Sequence, residues 1–227
     1  MGALKALGGL LFPARCPFCR RLLKAGEDGL CASCQKSLPW VEKETPDVSG
    51  KEFDVCVAPL WYRDVVRQSF HRYKFDGIKC YAEAYGKLVG QCACDRLAGR
   101  YDLITWAPLS RQRKWKRGYD QAYLIAASAA KELKRPLIKT LRKVRNPQAQ
   151  SSMDSADARR ANVRDCYEAV KPALVRDKRV LLIDDIVTTG STLSECARTL
   201  KEAGAREVVC AAFARTGKEN GPLGRNL

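Results

Sequence analysis

Residues 180–192 read VLLIDDIVTTGST, and their order brings three kinds of chemistry into one short stretch. The four apolar residues from Val180 to Ile183 suit a buried strand, and Asp184 and Asp185 stand at its carboxyl end. Ile186 and Val187 lead into Thr188, Thr189, Gly190, Ser191 and Thr192, a small-residue loop that opens the next helix. Ligands of open α/β sheets dock in the crevice beyond the carboxyl ends of the strands, so this is where the sequence predicts a site. A loop of this composition turns backbone N–H groups, hydroxyls and the positive end of a helix dipole toward one point, which suits a terminal phosphate. Gly190 lets the backbone come close to the anion. Ionised carboxylates only accept hydrogen bonds, so Asp184 and Asp185 suit a pair of ribose hydroxyls. Any one piece also fits an ordinary strand and Ser/Thr helix cap; the whole run is more specific. The sequence contains neither G-x-x-x-x-G-K-[ST] nor G-x-G-x-x-G, the usual nucleotide-binding alternatives.

A second cluster is made of cysteine. Cys16-x-x-Cys19 and Cys31-x-x-Cys34 supply four thiolates in two knuckles, the pattern of a tetrahedral structural Zn²⁺ with no open position. The other seven of the eleven cysteines lie outside this pattern in apolar surroundings, which fits a reducing compartment and a cytoplasmic protein. Arg15, Arg20, Arg21 and Lys24 flank the knuckles, so the ribbon serves either stability alone or contact with nucleic acid or a partner.

The elements that position these groups alternate. Apolar runs at 53–62, 102–108, 136–144, 178–183 and 206–214 read as strands, and helical spacing appears at 64–75, 81–97, 119–133 and 191–203. Alternation with fully apolar strands predicts an α/β fold, a mainly parallel sheet flanked by helices. Ser110 to Arg117 reads as a basic loop after the second strand, and residues 145–161 as a long polar connection that is either a lid or disordered. Pro46 and the alternating charges around it mark a linker, giving residues 1–50 to the ribbon and 51–227 to the main domain. No apolar run is long enough to span a bilayer.

The net charge of +16 creates a field that attracts phosphates of any kind, without choosing among nucleic acid, sugar phosphate and anionic membrane. His71 is the single histidine, which excludes a His-based triad or a multi-histidine metal site. It sits beside Lys74, which belongs either to a solvated face or near substrate. Among four tryptophans, Trp115 between Lys114 and Lys116 is the one exposed enough to stack on a base.

Residues 180–192 resemble the binding signature of type I phosphoribosyltransferases, which hold phosphoribosyl pyrophosphate (PRPP). PLSRQRKWKRGYDQA at 108–122 is similar to the basic segment of the ComF family at Arg113, Arg117, Gly118 and Gln121, with Tyr119 and Asp120 in place of Phe and Asn and Ser110 where many members have His. QSSMDSADARRANV at 150–163 matches that family at Gln150, Met153, Arg159, Asn162 and Val163. The resemblance implies the type I phosphoribosyltransferase fold with an N-terminal zinc ribbon. It also implies transfer of phosphoribose to an unidentified acceptor as pyrophosphate leaves. In that scheme Asp184, Asp185, Arg113 and Arg117 carry the catalytic roles. Residues 184–192 with Ser110 and Arg111 bind PRPP together with Mg²⁺, and Gln150, Arg159 and Arg160 belong to a lid. Two other outcomes stay open: a PRPP or nucleotide sensor without turnover, and a component of bacterial DNA uptake that engages single-stranded DNA or the uptake machinery.

Overall fold

The computed structural model describes residues 14–145 and 165–217. Two long strands, β6 (Arg179–Val187) and β7 (Glu207–Arg215), form the centre of the sheet. β7 also pairs with two short strands, β1 (Cys56–Val57) and β2 (Leu60–Trp61), and β6 with β3 (Leu103–Trp106). Every one of these pairings is parallel, with Cys56 opposite Cys210, Ile183 opposite Ala211 and Trp106 opposite Ile183. Side chains alternate across a strand, and both sets are buried here. Leu181, Ile183, Val209, Ala211 and Phe213 enter one core. Val180, Leu182, Val208, Cys210 and Ala212 enter the other. Parallel sheets need this double cover.

The first face is covered by α2 (Asp64–Phe75), α3 (Tyr81–Leu97) and α5 (Gln121–Leu133). α3 and α5 lie close together because Gly86 has no side chain: a Cβ there would sit 2.2 Å from the Ser128 Cβ. The second face is covered by α6 (Ser191–Glu202), whose Leu193, Cys196, Ala197 and Leu200 point into the core. The short helix α1 (Ala32–Ser37) belongs to the cysteine module, and Cys16, Phe18, Cys31 and Cys34 share the first core with the sheet.

Three sequence expectations change. Residues 136–144 do not make a full strand of the main sheet: Leu137 bridges Ile104, and only β4 (Leu141–Lys143) continues, pairing antiparallel with β5 (Tyr167–Ala169) in a separate two-stranded ribbon. The segment Ser110 to Arg117, expected as a loop, is the helix α4 (Arg111–Arg117). Its residues are all outside the core, so it carries no apolar period. Instead the Ser110 hydroxyl accepts from the Arg113 N–H at its start, and Gly118 at φ 74° ends it. β6 also runs four residues past Ile183, so the two aspartates lie within the strand.

Aromatic contacts knit the first core. Phe213 stacks 4.0 Å from Tyr85 and 5.9 Å from Phe70, and Phe18 of the cysteine module reaches it at 6.4 Å. Phe213→Ala is expected to lower unfolding stability by about 3–5 kcal/mol, the usual cost of deleting a buried aromatic ring, as read by urea denaturation. Because Phe18 loses one of its two ring partners, amide exchange should rise in the module as well as in β7.

Candidate functional site

The rim of the sheet opens at one point. β3 pairs with β6 only as far as Ile183, where the Ala107 N–H donates to the Ile183 carbonyl at 2.9 Å and the chain then turns away. β6 continues alone on that side, while β7 still pairs with it through Val187. Asp184 and Asp185 therefore stand half-buried beside a gap between strands. Among the described residues each hydrogen-bonds to its neighbouring backbone: Asp184 Oδ1 accepts from the Asp185 N–H at 2.8 Å, and Asp185 Oδ1 from the Ile186 N–H at 2.7 Å.

Beyond them, residues 186–193 with Asp184 line a recess of about 50 Å³, room for a few water-sized groups. Val187 is buried, Thr188 and Thr189 are exposed, and the Thr189 and Ser191 hydroxyls lie 2.8 Å apart. Gly190 takes φ 72° at the start of α6, a left-handed conformation that disfavours any side chain. The Phe53 ring lies directly behind it, 3.3 Å from where a Cβ would be. Phe53 is fully buried and supports the loop from the linker side. No local pattern marks it, since the contact joins residues far apart in sequence.

Cations reach the aspartates from three directions. Lys74 at the end of α2 and Arg117 at the end of α4 act on Asp185, and Lys143 on β4 acts on Asp184. Arg117 donates to Gln121 Oε1 at 3.1 Å, and Arg113, one turn earlier on α4, adds to the positive field at both Arg117 and Lys143. Ser110 is buried as the cap of α4, and Arg111 is exposed on its first turn. Asp120 holds this region together: one oxygen caps α5 by accepting from the Tyr123 N–H, and the other accepts from the Leu109 N–H at 3.1 Å and the Trp106 indole at 3.4 Å. Gln150, Arg159 and Arg160 fall outside the described residues.

Burial, and then the neighbouring Asp185 charge, pushes the Asp184 carboxyl well up from its ordinary range. Asp185 is also raised by burial, against the pull of Lys74, the Ile186 N–H and Arg117. Arg117 itself is lowered by burial. The pair carries too little compensation from its own fold, so hydroxyl donors or a cation placed in the gap would lower its energy.

The four thiols of Cys16, Cys19, Cys31 and Cys34 converge with all sulfurs within 4.8 Å of one another. Cys31 caps α1 with its sulfur, accepting from the Cys34 N–H at 3.4 Å. Burial raises the Cys31 thiol, but that N–H and the neighbouring thiols outweigh it and bring it down to about 7. Four soft ligands at this spacing fit Zn²⁺ in a closed structural site. Glu27 joins the two knuckles by accepting from the Lys24 and Ala32 N–H groups at 2.8 Å. The first knuckle is fastened to α2: the Ser69 hydroxyl donates to the Pro17 carbonyl at 2.6 Å, and Arg72 donates to the Pro17 and Phe18 carbonyls at 2.9 Å. The next residue on α2, Tyr73, donates to the Gln121 carbonyl at 3.0 Å, beside Arg117.

Comparison with known proteins matches the two halves separately. The phosphoribosyl transferase domain family matches residues 120–223, and the double zinc ribbon domain matches residues 7–60. Competence protein F of Haemophilus influenzae is 27% identical over 225 residues, covering 90% of this chain and 98% of that protein. Competence protein ComFC of Bacillus subtilis is 27% identical over 143 residues, covering 63% of this chain and 56% of that protein. The solved structure of glutamine PRPP amidotransferase from B. subtilis, complexed with ADP and GMP, superposes with a TM-score of 0.40 and 27% identity over 58% of this chain and 25% of that chain.

Two outcomes are expected. The unfolded aspartates titrate near 3.9, so with both native values raised the folded chain holds more protons, and stability falls as pH rises from about 4 through the native range. Asp184→Asn should flatten this slope and raise the melting temperature at pH 8 by about 2–4 °C, the equivalent of roughly 1 kcal/mol for a chain of this size; a lower midpoint would contradict the assigned strain. Chelation of zinc should expose amides of residues 14–38 and of α2 to hydrogen exchange while β6 and β7 stay protected.

Proposed function

Because the chain belongs to the ComF family, joining a phosphoribosyltransferase domain to a zinc ribbon, we propose that it binds PRPP at the β6 rim and transfers the phosphoribosyl group to an acceptor. The observation that carries this reading is the under-compensated pair Asp184 and Asp185 beside a hydroxyl-rich recess at a helix start. The 5-phosphate occupies the recess of residues 188–192, held by backbone N–H groups and by the Thr189 and Ser191 hydroxyls. The ribose hydroxyls donate to Asp184 and Asp185. That contact supplies the hydrogen bonds the carboxylates lack and fixes the sugar with C1 facing the gap left by β3. Pyrophosphate lies toward α4, where Arg113 and Arg117 face it from one side, with Ser110 and Arg111 at the start of the helix.

The acceptor's nucleophilic atom forms a bond to C1 as the bond from C1 to the pyrophosphate oxygen breaks, and the acceptor gives up its proton to solvent. Positive charge grows on the sugar and negative charge on the leaving group, so positioning and preset charges supply the catalysis. Mg²⁺, when bound with PRPP, neutralises part of the pyrophosphate charge, as it does with few protein ligands and many phosphate oxygens. Lys74 and Arg117 oppose the effect of burial on Asp185 and favour its ionised form, the one that accepts. The relatives named as competence proteins support a role in bacterial competence, and a chain this rich in cysteine suits a reducing compartment.

Calorimetry of PRPP with Mg²⁺ tests the reading. Wild-type protein should bind saturably, and Asp184→Asn with Asp185→Asn should weaken binding by at least about 100-fold, since two hydrogen bonds to charged groups are lost. Equal affinity in the variant would remove the ribose assignment. Pyrophosphate release on screening nucleobases, amines and DNA ends then separates a transferase from a sensor that binds without turnover.

A further inference from the structure

The helix α4 has two charged sides. At 100° per residue, Arg113 and Arg117 fall within about 40° of each other, and Arg117 acts on Asp185. Arg111, Lys114 and Trp115 occupy an arc of about 100° on the other side. That second side forms one wall of a separate cleft of about 380 Å³, within the usual size range of small-ligand sites.

The opposite wall of the cleft carries Lys139, Arg142 and Lys143 of the β4 segment. Arg142 pairs with Glu168 at 2.6 Å, and Lys143 lies 5.0 Å over the Tyr167 ring. Among the described residues, Arg111, Lys114 and Lys139 have no carboxylate partner. Asp120, the one acid in the lining, is already taken by three N–H donors. The floor is aromatic: Trp106 and Tyr123 sit with ring centroids 4.9 Å apart, and Tyr123 is 40% exposed at the mouth. Trp115 stands beside Arg111 on the same side of the helix, 89% exposed, which is unusual for an indole with no partner to cover it.

Unpaired cations on two walls call for an anion with several charges, and the exposed Tyr123 ring between them, backed by the buried Trp106, calls for a planar group attached to it. A nucleoside phosphate has both. We infer that this cleft binds nucleoside phosphate units, with phosphate between Lys114 and the β4 cations and a base against Tyr123, and that Trp115 offers a stacking step for a neighbouring base. The same chemistry is presented by a free nucleotide and by a single strand. The cleft shares Arg111 and Lys143 with the surroundings of the β6 rim, so the test alters only Lys114, Lys139, Arg142 and Trp115, which the PRPP reading does not use.

The test uses the full chain and two probes, a fluorescent 20-nucleotide thymidine oligomer and thymidine monophosphate, with PRPP binding and melting temperature measured on the same samples. Lys114→Ala/Lys139→Ala/Arg142→Ala is expected to weaken oligomer binding at least tenfold and to reduce the dependence of log K on log salt by about 2, at roughly 0.7 per phosphate contact. Trp115→Ala should cost at least about fivefold. PRPP affinity and melting temperature should remain at wild-type values. Loss of affinity confined to the oligomer assigns the strand as source, and equal loss for the monophosphate assigns the free nucleotide. Unchanged affinity for both probes in the triple variant overturns the inference.

Discussion

Two adjacent carboxylates held half-buried near a strand end, and bonded among the described residues to backbone N–H groups alone, set the terms for everything around them. Adjacent residues on a strand point to opposite faces, so Asp184 and Asp185 need compensation from two sides of the sheet. The fold supplies it from separate elements: Lys74 and Arg117 for one, Lys143 for the other. None of these cations makes a close ion pair with an aspartate. The charges steer without filling the gap, which leaves the rim open and the pair raised. Stability has been given up at this point and must be recovered in the cores, where both faces of β6 and β7 are closed by apolar side chains.

The zinc ribbon contributes to that recovery and to the rim. Phe18 joins the aromatic cluster around Phe213, and the knuckle carbonyls accept from Ser69 and Arg72 on α2. α2 in turn carries Tyr73, tied to the Gln121 carbonyl, and Lys74, which faces Asp185. A metal far from the reacting atoms thus bears on where Lys74 lies, through one helix fastened to the knuckle by three hydrogen bonds.

Much of this was legible in sequence because burial leaves a period. The helix at 64–75 and the apolar core of β6 follow directly from spacing. The tandem cysteine pairs announce a metal module, and residues 188–192 announce a helix start. Where burial leaves no period, the reading failed: α4 has no buried residue, so nothing distinguished it from a basic loop except Ser110 and Gly118 at its ends. Contacts between distant segments were equally silent. Phe53 behind Gly190, Ser69 and Arg72 on the knuckle, and the division of the α4 cations between two clefts depend on which elements become neighbours, and no local window contains that information.

The place of β7 in the sheet has a consequence for biosynthesis. It lies between β6 and the pair β1 and β2, so Cys56 waits for Cys210 and Leu60 for Ala214 before either can dock. On the ribosome the cysteine knuckles emerge first and can capture their ion locally, whereas β1 and β2, bridged on one side to Val48 and Trp40, lack their parallel partner until almost the last described residues are made. Pairings of such long range are slow to form and leave strand edges open to misassembly. Metal capture early in synthesis would then give the nascent chain a folded anchor while its sheet is still incomplete.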